Sequence, residues 1–156
     1  MTAPHRLFVE TLHHSAFRYG GWGIARDVAG DVAGWAGGER STTAVRIDLM
    51  ALIAAFDRLP PGPVEVRSAS LGVVQAVRLL VSPPPPGSDE APVEDLDLWA
   101  QVLKATQGRT LTLKAGINPS TAFLRAWAEV GQDKAKGKGR FSAAIPKPNL
   151  AKLGLP

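Results

Sequence analysis

The side chains best suited to chemistry in this sequence are cations close to its C-terminal end. Lys134, Lys136, Lys138 and Arg140 alternate with small residues in Lys134-Ala135-Lys136-Gly137-Lys138-Gly139-Arg140. Lysine and glycine in alternation predict a flexible arm with about four positive charges, suited to neutralising a phosphate backbone. Such contacts add affinity and salt dependence but no sequence preference. Other chemistries have less to work with. There is no cysteine, which excludes disulfides and thiolate metal sites. His5, His13 and His14 are the only imidazoles, and the adjacent pair His13-His14 falls in a predicted loop where solvation is expected rather than metal ligation. Trp22, Trp35, Trp99 and Trp127 could stack on bases, but their positions predict core packing.

The charge is unevenly distributed. The chain carries a net +4, of which +5 lies from Asp133 onward, leaving −1 on residues 1–132. A near-neutral body with a basic tail is therefore expected, and the tail is where a polyanion would bind. Residues 145–155 bring back apolar side chains without a periodic pattern, which predicts an extended segment docked on the body or on a partner. At 156 residues, 45% hydrophobic and 21% charged, the chain can bury the core of one domain. No signal-peptide pattern and no apolar run of membrane-spanning length is present, so a cytoplasmic protein without membrane contact is expected.

Residues 6–12 read as a first strand, 13–16 as a loop, 22–28 as a second strand and 32–37 as a third, in an antiparallel meander. Ser41-Thr42-Thr43 offers N-caps for a helix over 44–59, with Ile47, Met50, Ala51, Ala54 and Leu59 on its core stripe. Pro60-Pro61-Gly62-Pro63 ends it. Residues 64–68 alternate as a half-buried strand, 71–81 form a helix, and 82–92 form a proline-rich exposed loop. A third helix is expected from 93 or 94 to 105, a strand over 109–114, and a last helix from about Asn118 through about Val130. The expected organisation is an α/β domain over residues 1–131 and a basic, flexible tail over 132–156.

Three stretches carry a family likeness: Gly20-Gly21-Trp22-Gly23 on the second strand, Thr42-Thr43-Ala44-Val45-Arg46-Ile47-Asp48-Leu49-Met50-Ala51 at the first helix, and Leu96-Asp97-Leu98-Trp99 in the third helix. Over residues 7–130 the chain resembles bacterial type I ribonuclease H. The resemblance implies a ribonuclease H-like fold, a mixed five-stranded sheet flanked by helices. It also implies an activity, cleavage of the RNA strand of an RNA–DNA hybrid by two magnesium ions held on four carboxylates. Carried over by position, the first acid falls at Glu10 and the second at Asp48. The third falls at Ala69 within Ser68-Ala69-Ser70, and the fourth at Arg125, or at Ala126 with a one-residue shift.

Neither of the last two can bind a cation, and Gly116 or Ile117 stands where the family has a mobile histidine. The family's Asn pair becomes Ala44-Val45, its glutamine after Asp-Ser becomes Leu71, and the proline-rich loop replaces its basic protrusion. Thr43, Arg46, Trp99 and Lys114 remain. The reading that follows is a catalytically inactive ribonuclease H-like module that binds RNA or an RNA–DNA hybrid. Its contacts would be Thr43, Arg46, Lys114 and the cations Lys134, Lys136, Lys138 and Arg140. No cofactor is expected, magnesium entering only if Glu10 and Asp48 still form a site, and Arg125 is expected to supply the missing positive charge to that acidic pair. Two alternatives stand: a protein-interaction or structural subunit contacting its partner through 141–156 and the 82–92 loop, and a weak metal-dependent hybrid endonuclease.

Overall fold

A computed structural model describes residues 3–155. Three antiparallel strands open the fold: β1 (His5–His14), β2 (Tyr19–Val28) and β3 (Asp31–Glu39). Helix α1 (Ala44–Phe56) follows, its start fixed by Thr43, whose Oγ1 accepts from the Arg46 amide at 3.1 Å. Then come β4 (Val64–Ser68), α2 (Leu71–Val81), α3 (Leu96–Thr106), β5 (Leu111–Ala115) and α4 (Thr121–Lys138). The chain closes with β6 (Phe141–Ala144), a short α5 (Lys147–Leu150) and a 3₁₀ turn over Ala151–Leu153. The strands lie in the order β5-β4-β1-β2-β3-β6, with β4 parallel to both β1 and β5, so the sheet is mixed.

Alternation along the strands sends side chains to two separate cores. Leu7, Val9, Trp22 and Ile24 face α1, α2 and α3, where they meet Ile47, Leu52, Val77 and Val102. Phe8, Ala25 and Ala36 face the other way, onto Leu124, Ile145 and Leu153. The glycine-rich strand β2 exists for this second layer. A Cβ at Gly21 would fall 2.0 Å from the Ala128 carbonyl oxygen, and one at Gly23 would fall 2.3 Å from that of Leu124. Helix α4 therefore lies backbone-to-backbone on the sheet, which any larger residue at either position would prevent.

Several expectations are corrected. The sheet has six strands rather than five, because β6 pairs antiparallel with β3, from Trp35 opposite Ala144 to Gly38 opposite Phe141. Residues 132–153 fold with the body where a flexible tail is expected: α4 continues to Lys138, β6 joins the sheet, and Ile145 and Leu153 are buried in the second core. Gly131, at the expected end of the domain, is a contact residue, since a Cβ there would stand 2.0 Å from the Gly37 carbonyl oxygen. The helix ends instead at Gly139, whose φ of 85° takes the chain out of helical geometry. Helix α3 starts at Leu96, after Asp95 at φ 56°, and α1 stops at Phe56, leaving Leu59 buried in the following turn. Among the described residues no helix is long and apolar enough to cross a membrane.

Candidate functional site

Strands β1 and β4 are parallel neighbours from which the chain leaves toward opposite edges of the sheet, so a crevice opens beyond their C-terminal ends. Glu10 stands on β1 at this crevice, facing the α4 layer with Phe8, and is 1% exposed. Both its carboxylate oxygens are taken. Ser70 Oγ donates to Oε1 at 2.8 Å, and the Ala69 amide donates to Oε2 at 2.9 Å. Arg125, from α4, places Nε 3.6 Å from Oε1 and donates through Nη2 to the Ala69 carbonyl at 3.4 Å. Burial pushes the Glu10 carboxyl upward in pKa, opposed by the Ala69 and Ser70 hydrogen bonds and by the Arg125 charge.

Ser70 is the hub of this arrangement. Its Oγ also accepts from the Thr11 amide at 2.9 Å, and its own amide donates to Ser68 Oγ at 3.0 Å. Thr11 points to the opposite face of β1, where its Oγ1 donates to Asp48 Oδ1 at 2.6 Å. Burial raises the Asp48 carboxyl to about 6, with the Thr11 hydrogen bond and the charge of His13 pulling the other way. His13 Nε2 donates to the Thr42 carbonyl at 3.0 Å, which ties the end of β1 to the loop before α1. Thr11, His13, Asp48, Ser70, Gly72 and Arg125 line a cavity of about 320 Å³.

Divalent ions in a two-metal site need clustered carboxylate oxygens free to face them. The residues here do not fit that requirement. Glu10 accepts hydrogen bonds from Ser70 and Ala69, Asp48 accepts one from Thr11, Ala69 has no ligating side chain, and Arg125 brings a cation to within 3.6 Å of Glu10. Among the described residues no three acidic or histidine side chains gather in metal-binding proximity. The expected partnership of Arg125 with the acidic pair is present on its Glu10 side; Asp48 is held by Thr11 instead.

The cations expected to contact nucleic acid fall into two groups. Arg46 is committed: Nη1 and Nη2 grip Asp97 at 3.2 and 3.1 Å, and Nη1 also reaches Asp95 at 3.0 Å, joining α1 to the start of α3. The guanidinium in turn holds the Asp97 carboxyl below its ordinary range. Arg140 pairs with Glu39 at 2.5 Å, and Thr43 serves as the α1 cap. Lys114 is exposed with a loose 3.7 Å approach to Glu65. Lys134, Lys136 and Lys138 project from the last turns of α4, exposed and without an ion pair among the described residues, Lys136 lying 5.7 Å over the Tyr19 ring. The tryptophans pack as expected, Trp22 buried in the first core and Trp35 stacked under Arg58 at 4.6 Å. Thr11 escaped sequence reasoning, although a hydroxyl beside a buried acid is a donor worth considering.

The architecture is a ribonuclease H-like fold, a six-stranded mixed sheet with α1, α2 and α3 on one face and α4 on the other. No protein-family profile matches the sequence, and neither does any curated protein. Solved structures do match. LC11-RNase H1, isolated from compost and solved in complex with an RNA/DNA hybrid, superposes with a TM-score of 0.64 at 17% identity, covering 85% of this chain and 99% of that one. The N-terminal RNase H domain of a Mycobacterium tuberculosis protein gives 0.64 at 17% identity over 86% of this chain and 97% of its own. RNase H1 from Halobacterium salinarum gives 0.56 at 16% over 85% and 100%. At these identities the likeness is one of fold.

Proposed function

We propose that this chain is a ribonuclease H-like module, cytoplasmic in location, that binds RNA or an RNA–DNA hybrid without hydrolysing it. The observation that carries the reading is Arg125 beside Glu10, a cation set against a carboxylate whose two oxygens already accept from Ser70 and Ala69. A hydroxyl, an amide and a guanidinium do there what metal ions do in a two-metal nuclease, neutralising the acid, and they generate no nucleophile. Binding falls to the free cations: Lys134, Lys136 and Lys138 at the end of α4, with Lys114 as a further contact. Arg46 and Arg140, neutralised by their own carboxylates, contribute less than their charge suggests.

The test is a labelled RNA–DNA hybrid titrated across a salt series with and without Mg²⁺ and Mn²⁺. Binding without cleavage is expected, weakening steeply with salt. Replacing Lys134, Lys136 and Lys138 together by alanine should reduce the salt slope by up to about three, near one for each phosphate that a lysine neutralises. Cleavage abolished by both Glu10→Gln and Asp48→Asn would overturn the reading in favour of a metal-dependent endonuclease.

A second reading, a protein-interaction subunit, draws on one observation. Leu80, Pro84, Pro92, Leu96, Trp99 and Leu103 line an apolar groove of about 240 Å³ under the proline-rich loop, with Leu96 and Leu103 more than half exposed. Phe141–Ala144 and the buried Ile145 and Leu153 are engaged with the body, so a partner would use the 82–92 loop. A stoichiometric protein that co-purifies after nuclease treatment would favour it.

A further inference from the structure

We infer that the turn between β1 and β2 is a stacking platform for an unpaired nucleobase, giving the protein a site for single-stranded RNA or DNA. Three rings gather there. Phe17 and Tyr19 lie nearly parallel, 10° apart with centroids at 5.9 Å, and His14 tilts against both at 5.0 and 5.6 Å. These separations match offset aromatic packing, so the rings support one another. Phe17 is nevertheless 66% exposed, which leaves much of its surface open at the tip of a turn.

The platform is held in place. The Arg18 amide donates to the His14 carbonyl at 2.8 Å, closing the turn with Arg18 at φ 59°. The Thr42 amide donates to the Arg18 carbonyl at 2.8 Å, fastening the turn to the loop that leads into α1. A rigid exposed ring loses little freedom when a base settles on it.

Its electrostatics select the occupant. Residues 11–22 hold no carboxylate, Arg18 lies between the two rings in sequence, and Lys136 Nζ stands 5.7 Å from the Tyr19 centroid. An aromatic face with cations at its border is the combination that holds single strands, base on ring and phosphate on lysine. A paired base keeps its faces inside the duplex and cannot use it. This inference rests on the nucleic-acid reading above and narrows it to strands with a base free to stack.

The experiment compares a labelled single-stranded 12-mer with a dumbbell-closed duplex, at fixed salt, on the full chain. Phe17→Ala should weaken single-strand binding by about tenfold, the loss of one stacked base, and leave duplex binding unchanged. Phe17→Trp should retain it. Phe17→Leu keeps apolar bulk without a π-face, so it should lose as much as alanine and separates stacking from any effect on the turn's fold. Lys136→Ala should weaken both ligands and lower the salt slope by about one. Single-strand binding unchanged in Phe17→Ala and Phe17→Leu, with the wild type still binding duplex, would overturn the platform and spare the broader reading. A wild type that binds neither ligand would overturn both.

Discussion

Arg125 Nε stands 3.6 Å from Glu10 Oε1, and the same guanidinium reaches the Ala69 carbonyl, so one side chain of α4 ties together the ends of β1 and β4. The acid is buried and the arginine is half exposed, which makes the pair unequal: Glu10 depends on Arg125 more than Arg125 depends on Glu10.

Removing the arginine should therefore show a pH signature. Burial raises the Glu10 pKa in the folded chain, so the folded chain keeps this proton to a higher pH than the unfolded chain does, and stability from this group is lost as pH rises through the folded value. Arg125→Ala takes away a counter-charge and raises that value further. The expected cost is about 1 kcal/mol at pH 7.5, discounted for the arginine's exposure, shrinking toward pH 4 as Glu10 protonates. Urea denaturation at the two pH values measures it, and an equal loss at both would mean that Arg125 acts by packing.

The Asp48 carboxyl is also raised by burial, and here removing the acid itself should stabilise. Its carboxyl titrates near 3.8 in the unfolded chain and at about 6 when folded. Below the lower value both states hold the proton and nothing is lost. Between the two the unfolded chain releases it first, and stability falls as pH rises; above about 6 the loss is constant. Asp48→Asn keeps an oxygen for the Thr11 hydroxyl and removes the charge. It should be more stable than wild type at pH 7.5 by up to about 3 kcal/mol, with no advantage at pH 3.5. Thermal melts across this range that run parallel for the two proteins would contradict it.

Two glycines of the same helix should respond with opposite signs. Alanine is the better helix former by about 1 kcal/mol, and Gly137 has open space around its Cβ position, so Gly137→Ala should stabilise by up to that amount. At Gly131 the added methyl would stand 2.0 Å from the Gly37 carbonyl oxygen, which is backbone and cannot step aside. Gly131→Ala should destabilise by at least about 2 kcal/mol as α4 is lifted from β3. Denaturation midpoints of the two variants decide this, and stabilisation by both would show that α4 does not rest on the strand.

Much of this fold is legible in the chain because its constraints are local. Gly20-Gly21-Trp22-Gly23 marks a strand through the family likeness, and Thr43 with the apolar stripe of α1 declares a helix start. The gathering of Glu10, Ala69 and Arg125 followed from the family likeness, and the structure places all three at one crevice. The extent of α4 was not legible, because glycine beside lysine has the local preferences of a linker. What holds residues 131–138 in a helix is the distant β3 backbone and the burial of Ala135. Strand β6 was hidden for a similar reason: Phe141-Ser142-Ala143-Ala144 has no alternation, and its strand identity comes from β3. Nor could the turn at Phe17 be read as more than a break, since ring stacking depends on the geometry of the turn.

The pairing of β6 with β3 bears on how the protein reaches its native state. Trp35 lies opposite Ala144, about a hundred residues further on, and loop-closure entropy makes such a contact slow to form. Until it forms, β3 presents an unsatisfied edge to any other chain, and the apolar face that receives Ile145 and Leu153 stays open beside it. An incompletely folded molecule thus offers a place that the terminal strand of a neighbour fits as well as its own. Domain-swapped dimers, increasing with the concentration at which the chain is refolded, are the natural by-product of finishing the sheet with its most distant strand.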